Sequence, residues 1–412
     1  MTLSIIETKL DKRTRVKLLL KNAVPVYWPC LYILKKMRAR SPNTQQRFLS
    51  DLIFFYSWLN SEHINIEERL KQPTGQKYLD ANELARLTSQ SHWKKKLIDQ
   101  KAQGVRIHPT AYQQVSAEQA ISRINSIKSY LAFLYEYLGR SDDRTKHIEW
   151  MAKCLSQSTK DIRPSWKRRL SVPKGLSENQ EETILVKLQP DSDENPWPQN
   201  KALRVRNYLI VMLLYSLGIR RGEMLGIKLS DINYQNNSVS IVHRPNDPDD
   251  NRKSEPLIKT NERILSVPDY LMTHINYYIE HYRNGKKAKY HPYLLISYGK
   301  GNGSPLSIKA IDAIFNTVRK NFPNLEGITP HSFRHHNVFR TLESIAEQTK
   351  NLPIEDRMER EKRALAYKFG WSDTSEMPNL YGQKYYQEEA SRALAKRNDQ
   401  LLGKLNEHKE SK

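Results

Sequence analysis

Cysteine is almost missing from this chain, with only Cys30 and Cys154 in 412 residues. They stand far apart and form no CxxC pair, which excludes a disulfide framework and a cysteine zinc knuckle and suits a reducing, cytoplasmic compartment. Long hydrophobic runs are missing too. The longest, YLIVMLLYSLGI, lies between Arg206 and Arg220 and is too short to span a bilayer, so it reads as a buried helix and no membrane is expected as a partner. The N-terminal stretch MTLSIIETKLDKRTRVKLLLKN is broken by charges and has no signal-peptide core. Negative charge is also scarce, with 45 Asp and Glu against 67 Lys and Arg, a net charge of +22. An excess of that size points to a polyanionic partner, most often nucleic acid. The 22 Tyr and 7 Trp, scattered among the basic residues, add amphipathic donors suited to phosphates.

The chain divides by pattern and composition. Residues 1–40 read as a basic lead-in. Residues 41–150 read as a small all-helical domain. In TQQRFLSDLIFFYSWLNSE, Phe48, Leu52, Phe55 and Leu59 recur at the three- and four-residue steps of an amphipathic helix. SAEQAISRINSIKSYLAFLYEYLGR opens at Ser116 and closes near Gly139. Between them HWKKKLIDQKAQG predicts a helix with a basic face, carrying Lys94, Lys95 and Lys96. Residues 151–195, rich in Lys, Arg, Ser and Pro, read as a linker that includes Lys167, Arg168 and Arg169. These two basic triplets are candidate DNA contacts. Residues 196–395 combine a buried helix, the short strands SVSIVH and RILSVP around the polar loop RPNDPDDNRKSEP, and further helices. Residues 396–412 read as a charged amphipathic tail.

Chemistry concentrates in four segments. TPHSFRHHNVFR packs His331, Arg334, His335 and His336 into one helix start, with Thr329 and Pro330 supplying the N-terminus. No third ligand follows at zinc spacing, so a metal site is not expected. Guanidinium and imidazole together suit an anion, because Arg presents a planar fork and His supplies a donor or a proton. His331 and Arg334, three residues apart, face the same way from the first turn. In YSLGIRRGEMLGIKLSDI the buried helix ends at Gly218, and Glu223 lies within helical reach of Arg220. LIKTNERILSVP offers Lys259 before a strand. KFGWSDTSEMPNLYGQKYY offers Trp371 after Gly370, and Tyr381 ten residues later. Alone, each segment reads equally well as a surface ion pair, a solvated lysine or a packed helix.

Their order and combination resemble the tyrosine recombinases of the phage-integrase family. Arg220 with Glu223, Lys259, His331 with Arg334, Trp371 and Tyr381 stand where that family has a G-[LI]-R-x-x-E box, a β-hairpin lysine, an H-x-[LF]-R-H box, G-[HW] and a tyrosine. The resemblance is close over residues 195–395. It implies a mainly α fold with a small β-sheet, in which a helical core-DNA-binding domain and a mixed α/β catalytic domain form a C-shaped clamp on DNA. It also implies a reaction. Tyr381 attacks the scissile phosphate to give a 3′-phosphotyrosyl link, Arg220 and Arg334 hold the non-bridging oxygens, and Lys259 protonates the leaving 5′ oxygen. His331 positions or deprotonates the tyrosine, Trp371 donates to the phosphate or packs beside it, and Glu223 orients the first arginine. His335 and His336 are left to helix packing or to supporting the reacting residues from behind, although the family often has a His just after the Arg. No cofactor is expected. The partners implied are double-stranded DNA, further copies of the chain in a tetramer on two DNA sites, the tail docking in trans, and accessory DNA-bending or directionality proteins. A biological role in integrating or excising a mobile element follows from the same likeness.

The chain departs from the family pattern in places. Trp371 stands where most members have His, the span from Arg334 to Trp371 is long, the loop before Lys259 is long and holds the rival Lys253, and Tyr385 and Tyr386 are rival nucleophiles. A type IB-like topoisomerase and a DNA-binding regulator that has lost catalysis share much of this inventory and stay open as alternatives.

Overall fold

The computed structural model describes the chain apart from residues 1–2, 11–13, 140–143, 163–174, 246, 253, 254, 257, 259, 284, 286 and 411–412. It falls into two compact units, Met1–Arg169 and Leu170–Lys412.

The first unit opens with an antiparallel sheet, β1 (Leu3–Lys9), β2 (Arg15–Lys21) and β3 (Val24–Pro25), paired in that order. Among the described residues seven α-helices follow: α1 (Tyr27–Lys36), α2 (Pro42–Ser61), α3 (Ile66–Lys71), α4 (Ala81–Gln90), α5 (Lys95–Lys101), α6 (Ala117–Leu138) and α7 (Arg144–Asp161). The long helices start where side chains can take their free N–H groups. Ser41 accepts from Thr44 N with Pro42 at the first turn, Ser116 accepts from Gln119 N, and Asp80 and Glu83 form a reciprocal box. Phe55, Trp58, Tyr130 and Leu134 are among the side chains sealed in the core of this unit.

Two expectations are corrected here. Residues 1–40 are not a lead-in to an all-helical domain, because Val16 and Leu19 of β2 and Ile33 of α1 are fully buried in the same core. The linker does not begin at 151 either. The four-residue spacing of Met151, Leu155 and Thr159 gives α7 a buried stripe within its Lys- and Ser-rich sequence.

The second unit begins with α8 (Glu178–Glu182), continued by a π-helix over Thr183–Lys187. Ile184 and Leu188 are buried in its core, so this stretch also packs rather than links. The central helix α9 (Lys201–Leu217) is apolar on nearly every face and packs against α11 (Asp269–His281) and α13 (Pro330–Gln348). Around it lie α10 (Arg221–Gly226), α12 (Ile308–Asn321) and the antiparallel sheet β4 (Ile232–Asn233), β5 (Ser238–Ile241) and β6 (Arg263–Ser266). The chain closes with α14 (Ile354–Phe369) and α15 (Met377–Glu410), a 34-residue helix that runs straight through the boundary expected at residue 395. Among the described residues no helix is long and apolar enough to cross a membrane.

Two glycines set the backbone around the polar center of this unit. Gly218 ends α9 and Gly370 ends α14, both left-handed with φ of 61°. A Cβ on Gly218 would lie 2.8 Å from Asn337 Cβ and 2.8 Å from Phe369 Cε1. Gly218→Ala should therefore cost more than the ~1–2 kcal/mol of the left-handed conformation alone. Urea unfolding of the purified protein checks this, and an unchanged midpoint would refute the account of the turn.

Candidate active site

Glu223 is the center of the polar cluster and only 1 % exposed. Its position three residues into α10 lets one oxygen accept the backbone N–H of Arg220 at 2.9 Å, which satisfies a free helix donor. The same Oε2 accepts from Arg263 Nη2 at 2.9 Å, while Oε1 accepts from Thr260 Oγ1 and, at 3.4 Å, from Arg220 Nη1. Arg334 Nη1 lies 3.9 Å away. Burial by itself would raise the carboxyl's pKa, but the charge and hydrogen bond of Arg263, with those of Thr260 and Arg220 N, hold it below the usual value.

Arg334 is buried between two helix ends. Its Nη1 donates to Gly218 O at 3.0 Å and its Nη2 to Phe369 O at 2.6 Å, so the negative ends of α9 and α14 converge on one guanidinium. Burial, and next the charge of Arg220, push its pKa down to about 9. Arg220 keeps about a third of its side chain exposed while its Nη1 meets Glu223 Oε1.

Tyr381, in the second turn of α15, is 1 % exposed. It stacks on Trp371 (5.6 Å, 16°) and meets the edge of Phe339. Its hydroxyl bonds to Nδ1 of His335. Burial raises the phenol to about 12 against the pull of Arg334 and Arg220. His331, one turn before His335 on α13, is exposed and packs edge-on to it at 4.3 Å. Its imidazole is held below the usual value by partial burial, then by Arg334 and Arg220. Trp371 lies 5.6 Å from the Arg334 guanidinium, and its buried indole N–H finds no hydrogen-bond partner among the described residues. Three guanidinium forks thus meet one carboxylate, and two imidazoles, an indole donor and a phenol lie on the far side of Arg334. Such an arrangement can grip an anion and move a proton beside it.

The profile of the phage integrase family matches residues 175–349, a span that contains Arg220, Glu223, His331 and Arg334. Residues 175–349 thus carry a phage-integrase-family domain. The chain is 22% identical over 306 residues to tyrosine recombinase XerC of Staphylococcus epidermidis, covering 74% of this chain and 79% of the relative. With XerC of Staphylococcus aureus it is 21% identical over 305 residues, covering 74% and 78%. Among solved structures it aligns with the Tn1549 transposon integrase in complex with circular intermediate DNA (TM-score 0.49, 16% identity, 86% and 94% covered). It also aligns with XerH site-specific recombinase bound to difH substrate (TM-score 0.34, 13% identity, 79% and 94% covered).

The tyrosine-recombinase set read from the sequence is brought together in part. Arg220, Glu223, His331, Arg334, Trp371 and Tyr381 converge. Lys259 and its rival Lys253 lie outside the described residues, as do Lys167, Arg168 and Arg169. In the first unit, Lys94, Lys95 and Lys96 are exposed, with Lys94 donating to Tyr112 O and Lys95 paired with Asp99. Of the rival tyrosines, Tyr386 donates to both oxygens of Glu361 at 2.9 Å, and Tyr385 packs edge-on against it.

The structure corrects the division of labor among the histidines. His335, expected to pack or to support from behind, is the one on the tyrosine hydroxyl; a step of four from His331 puts both rings on one helix face, which was the available signal. His336 turns away. Its Nδ1 accepts from Leu176 N, which leaves Nε2 to donate to Glu181 at 2.9 Å. Among the described residues no group of three or more His, Cys, Asp or Glu could hold a metal ion. Sequence reading also missed Thr260 and Arg263, whose hydrogen bonds fix Glu223.

Removing the carboxylate charge leaves buried guanidinium groups uncompensated. Glu223→Gln should destabilize the protein by about 3–5 kcal/mol near neutral pH. The folded pKa is depressed, so the charge stabilizes fully above the unfolded value near 4.5 and is lost as pH falls through the folded value. Chemical denaturation at several pH values should show the gap between wild type and variant narrowing in acid, and a gap independent of pH would contradict the assignment.

Proposed function

We propose that the chain is a site-specific DNA recombinase that cuts and rejoins duplex DNA through a 3′-phosphotyrosyl intermediate. The observation that carries this reading is the Tyr381 hydroxyl on His335 Nδ1, beside Trp371 and the Arg220–Glu223–Arg334 cluster, in a chain with an integrase-family domain.

Each step follows from the groups present. Arg220 and Arg334 meet the two non-bridging oxygens of the scissile phosphate. Their fixed forks stabilize the charge that gathers there as phosphorus becomes pentacoordinate, and one such donor is commonly worth about 10²-fold or more in rate. The Trp371 indole N–H, buried without a partner among the described residues, gains an acceptor when a phosphate oxygen arrives. A phenol held at about 12 is a weak nucleophile on its own. It needs a base, and His335 Nδ1 is positioned to take its proton, with His331 packed against that imidazole. The Tyr381 oxygen forms a bond to phosphorus while the bond to the 5′ oxygen breaks, and Lys259 supplies the proton to that leaving oxygen. The phosphotyrosyl ester conserves the bond, so the reverse step rejoins DNA without ATP. Arg220, Arg334 and Lys259 together carry the positive charge that a divalent ion would otherwise bring.

Recombination further requires two DNA sites held by four copies of the chain, with strand exchange through a Holliday junction. The residues of α15 beyond Tyr381 suit contact with a neighboring copy. Integration or excision of a mobile element, aided by accessory DNA-bending proteins, is the role this reading favors. Basic residues such as Lys94, Lys95 and Lys96 add phosphate contacts outside the reacting center.

Covalent adducts mapped on nicked suicide substrates, cut from the DNA flanking its own gene, test the reading. Tyr381→Phe should abolish adducts while DNA binding persists. Adducts that survive in Tyr381→Phe and vanish in Tyr385→Phe or Tyr386→Phe would reassign the nucleophile, and plasmid relaxation without any recombinant product would favor a topoisomerase. Cleavage should also continue in excess EDTA; loss of activity that zinc or magnesium restores would overturn the metal-independent mechanism.

A further inference from the structure

Arg263 lies in the segment LIKTNERILSVP without a role in the family pattern, yet its guanidinium bonds to Glu223, to the turn at Thr260 and Asn261, and to the end of α14. On β6 the burial alternates the wrong way for hydrophobic sorting: Arg263 is 6 % exposed while Ile264, the next residue, is 57 % exposed. The strand buries a guanidinium and leaves an isoleucine in water, a choice that costs free energy unless every donor is used. Here each nitrogen is engaged. Nε donates to Lys368 O at 2.8 Å, Nη2 to Glu223 Oε2 at 2.9 Å, and Nη1 to Asn261 O at 3.3 Å and Thr260 Oγ1 at 3.4 Å.

Every one of those partners is one step from a residue of the reacting set. Glu223 holds Arg220 through both backbone and side chain. Lys368 precedes Phe369, whose carbonyl holds Arg334. Asn261 N donates to Gly370 O at 2.9 Å and Asn261 Nδ2 to Trp371 O at 3.3 Å, which anchors the turn carrying the indole. Thr260 and Asn261 directly follow Lys259 in the sequence. Gly370 itself leaves room for this guanidinium, since a Cβ there would lie 2.7 Å from Arg263 Nη1.

We infer that Arg263 is a positioning residue for strand cleavage, fixing through one buried fork the carboxylate that holds Arg220, the chain beside Lys259, and the helix end that holds Arg334 and Trp371. The inference rests on the recombinase reading above. A buried ion pair is by itself a weak source of stability, and an apolar pair of similar volume commonly serves as well. What an apolar pair cannot do is set the orientation of three polar segments at once. Among the interactions of Glu223 that oppose its burial, the charge of Arg263 is the largest, so the carboxylate that orients Arg220 depends on this residue to stay ionized.

The test uses the full-length protein, a suicide substrate that wild type converts to a Tyr381 adduct, and single-turnover rates at saturating DNA beside equilibrium affinity for the same DNA. Arg263→Met should slow adduct formation about 10²-fold, the scale of an ångström's misplacement at a reacting center, with affinity unchanged. Its acid limb should move to higher pH, because Glu223 would then be protonated more easily, and the double variant Arg263→Met/Glu223→Gln should lose that limb. Arg263→Lys, which keeps the charge but not the fork, should keep the wild-type acid limb and still be slower. If Arg263→Met does not fold, Arg263→Lys decides alone: a lower rate with unchanged affinity supports positioning. A wild-type rate in a folded variant, or rate and affinity falling together, overturns it and leaves Arg263 a structural residue. If wild type forms no Tyr381 adduct on any DNA, the recombinase reading itself fails, an outcome distinct from failure at Arg263.

Discussion

A carboxylate with almost no exposure to water, placed among guanidinium groups, organizes the second unit. Without Glu223, Arg263 would be a buried charge with only neutral acceptors, and Arg220 would lose its side-chain tether. Without the arginines, burial would drive Glu223 toward its neutral form. The cluster is thus mutually dependent: α10 supplies the carboxylate, β6 the cation that keeps it ionized, and Thr260 a further hydrogen bond.

The second constraint comes from backbone geometry. α9 and α14 both end in left-handed glycines, and the carbonyls left over at those ends find Arg334 rather than water. A guanidinium has five N–H donors, so two can be committed to carbonyls while the rest of the fork keeps its capacity for an anion. Burial, and next the charge of Arg220, lower the Arg334 pKa, and three guanidinium groups around one carboxylate leave excess positive charge. An arriving phosphate would relieve that excess, which gives the cluster a preference for anions before any particular nucleic acid is considered.

The third constraint is the sheltering of Tyr381. Stacked on Trp371 and bonded to His335, the phenol is held among apolar rings that raise its pKa. Tyr386, one turn further along α15, is tied to Glu361 on α14, so the helix that carries the tyrosine is anchored by a polar contact as well as by packing. The tyrosine bonded to His335 and the one tied to Glu361 are therefore neighbors on one helix, and a movement of that helix would be felt by both.

Much of this was legible in the sequence because it depends on local physics. Helix α6 was marked by Ser116 and Gly139, α13 by Thr329 and Pro330, and the burial of α9 by its unbroken apolar run. Arg220, Glu223, His331, Arg334, Trp371 and Tyr381 could be named because their order and combination resemble the tyrosine-recombinase pattern, whereas each segment alone reads as well as a surface pair or a packed helix. The N-terminal sheet was hidden by a basic composition that masked the buried positions of β2, and α7 was hidden by Lys and Ser between its apolar steps. Which histidine meets the tyrosine was decided by how α15 lies across α13, a relation between segments 46 residues apart. The importance of Arg263 was likewise decided only when β6, α10 and the end of α14 came together, since its partners at Glu223 and Lys368 lie 40 and 105 residues away along the chain. Spacing fixes which residues share a helix face or a strand edge; only packing decides which faces meet, because the free energy of burying them depends on the whole unit at once.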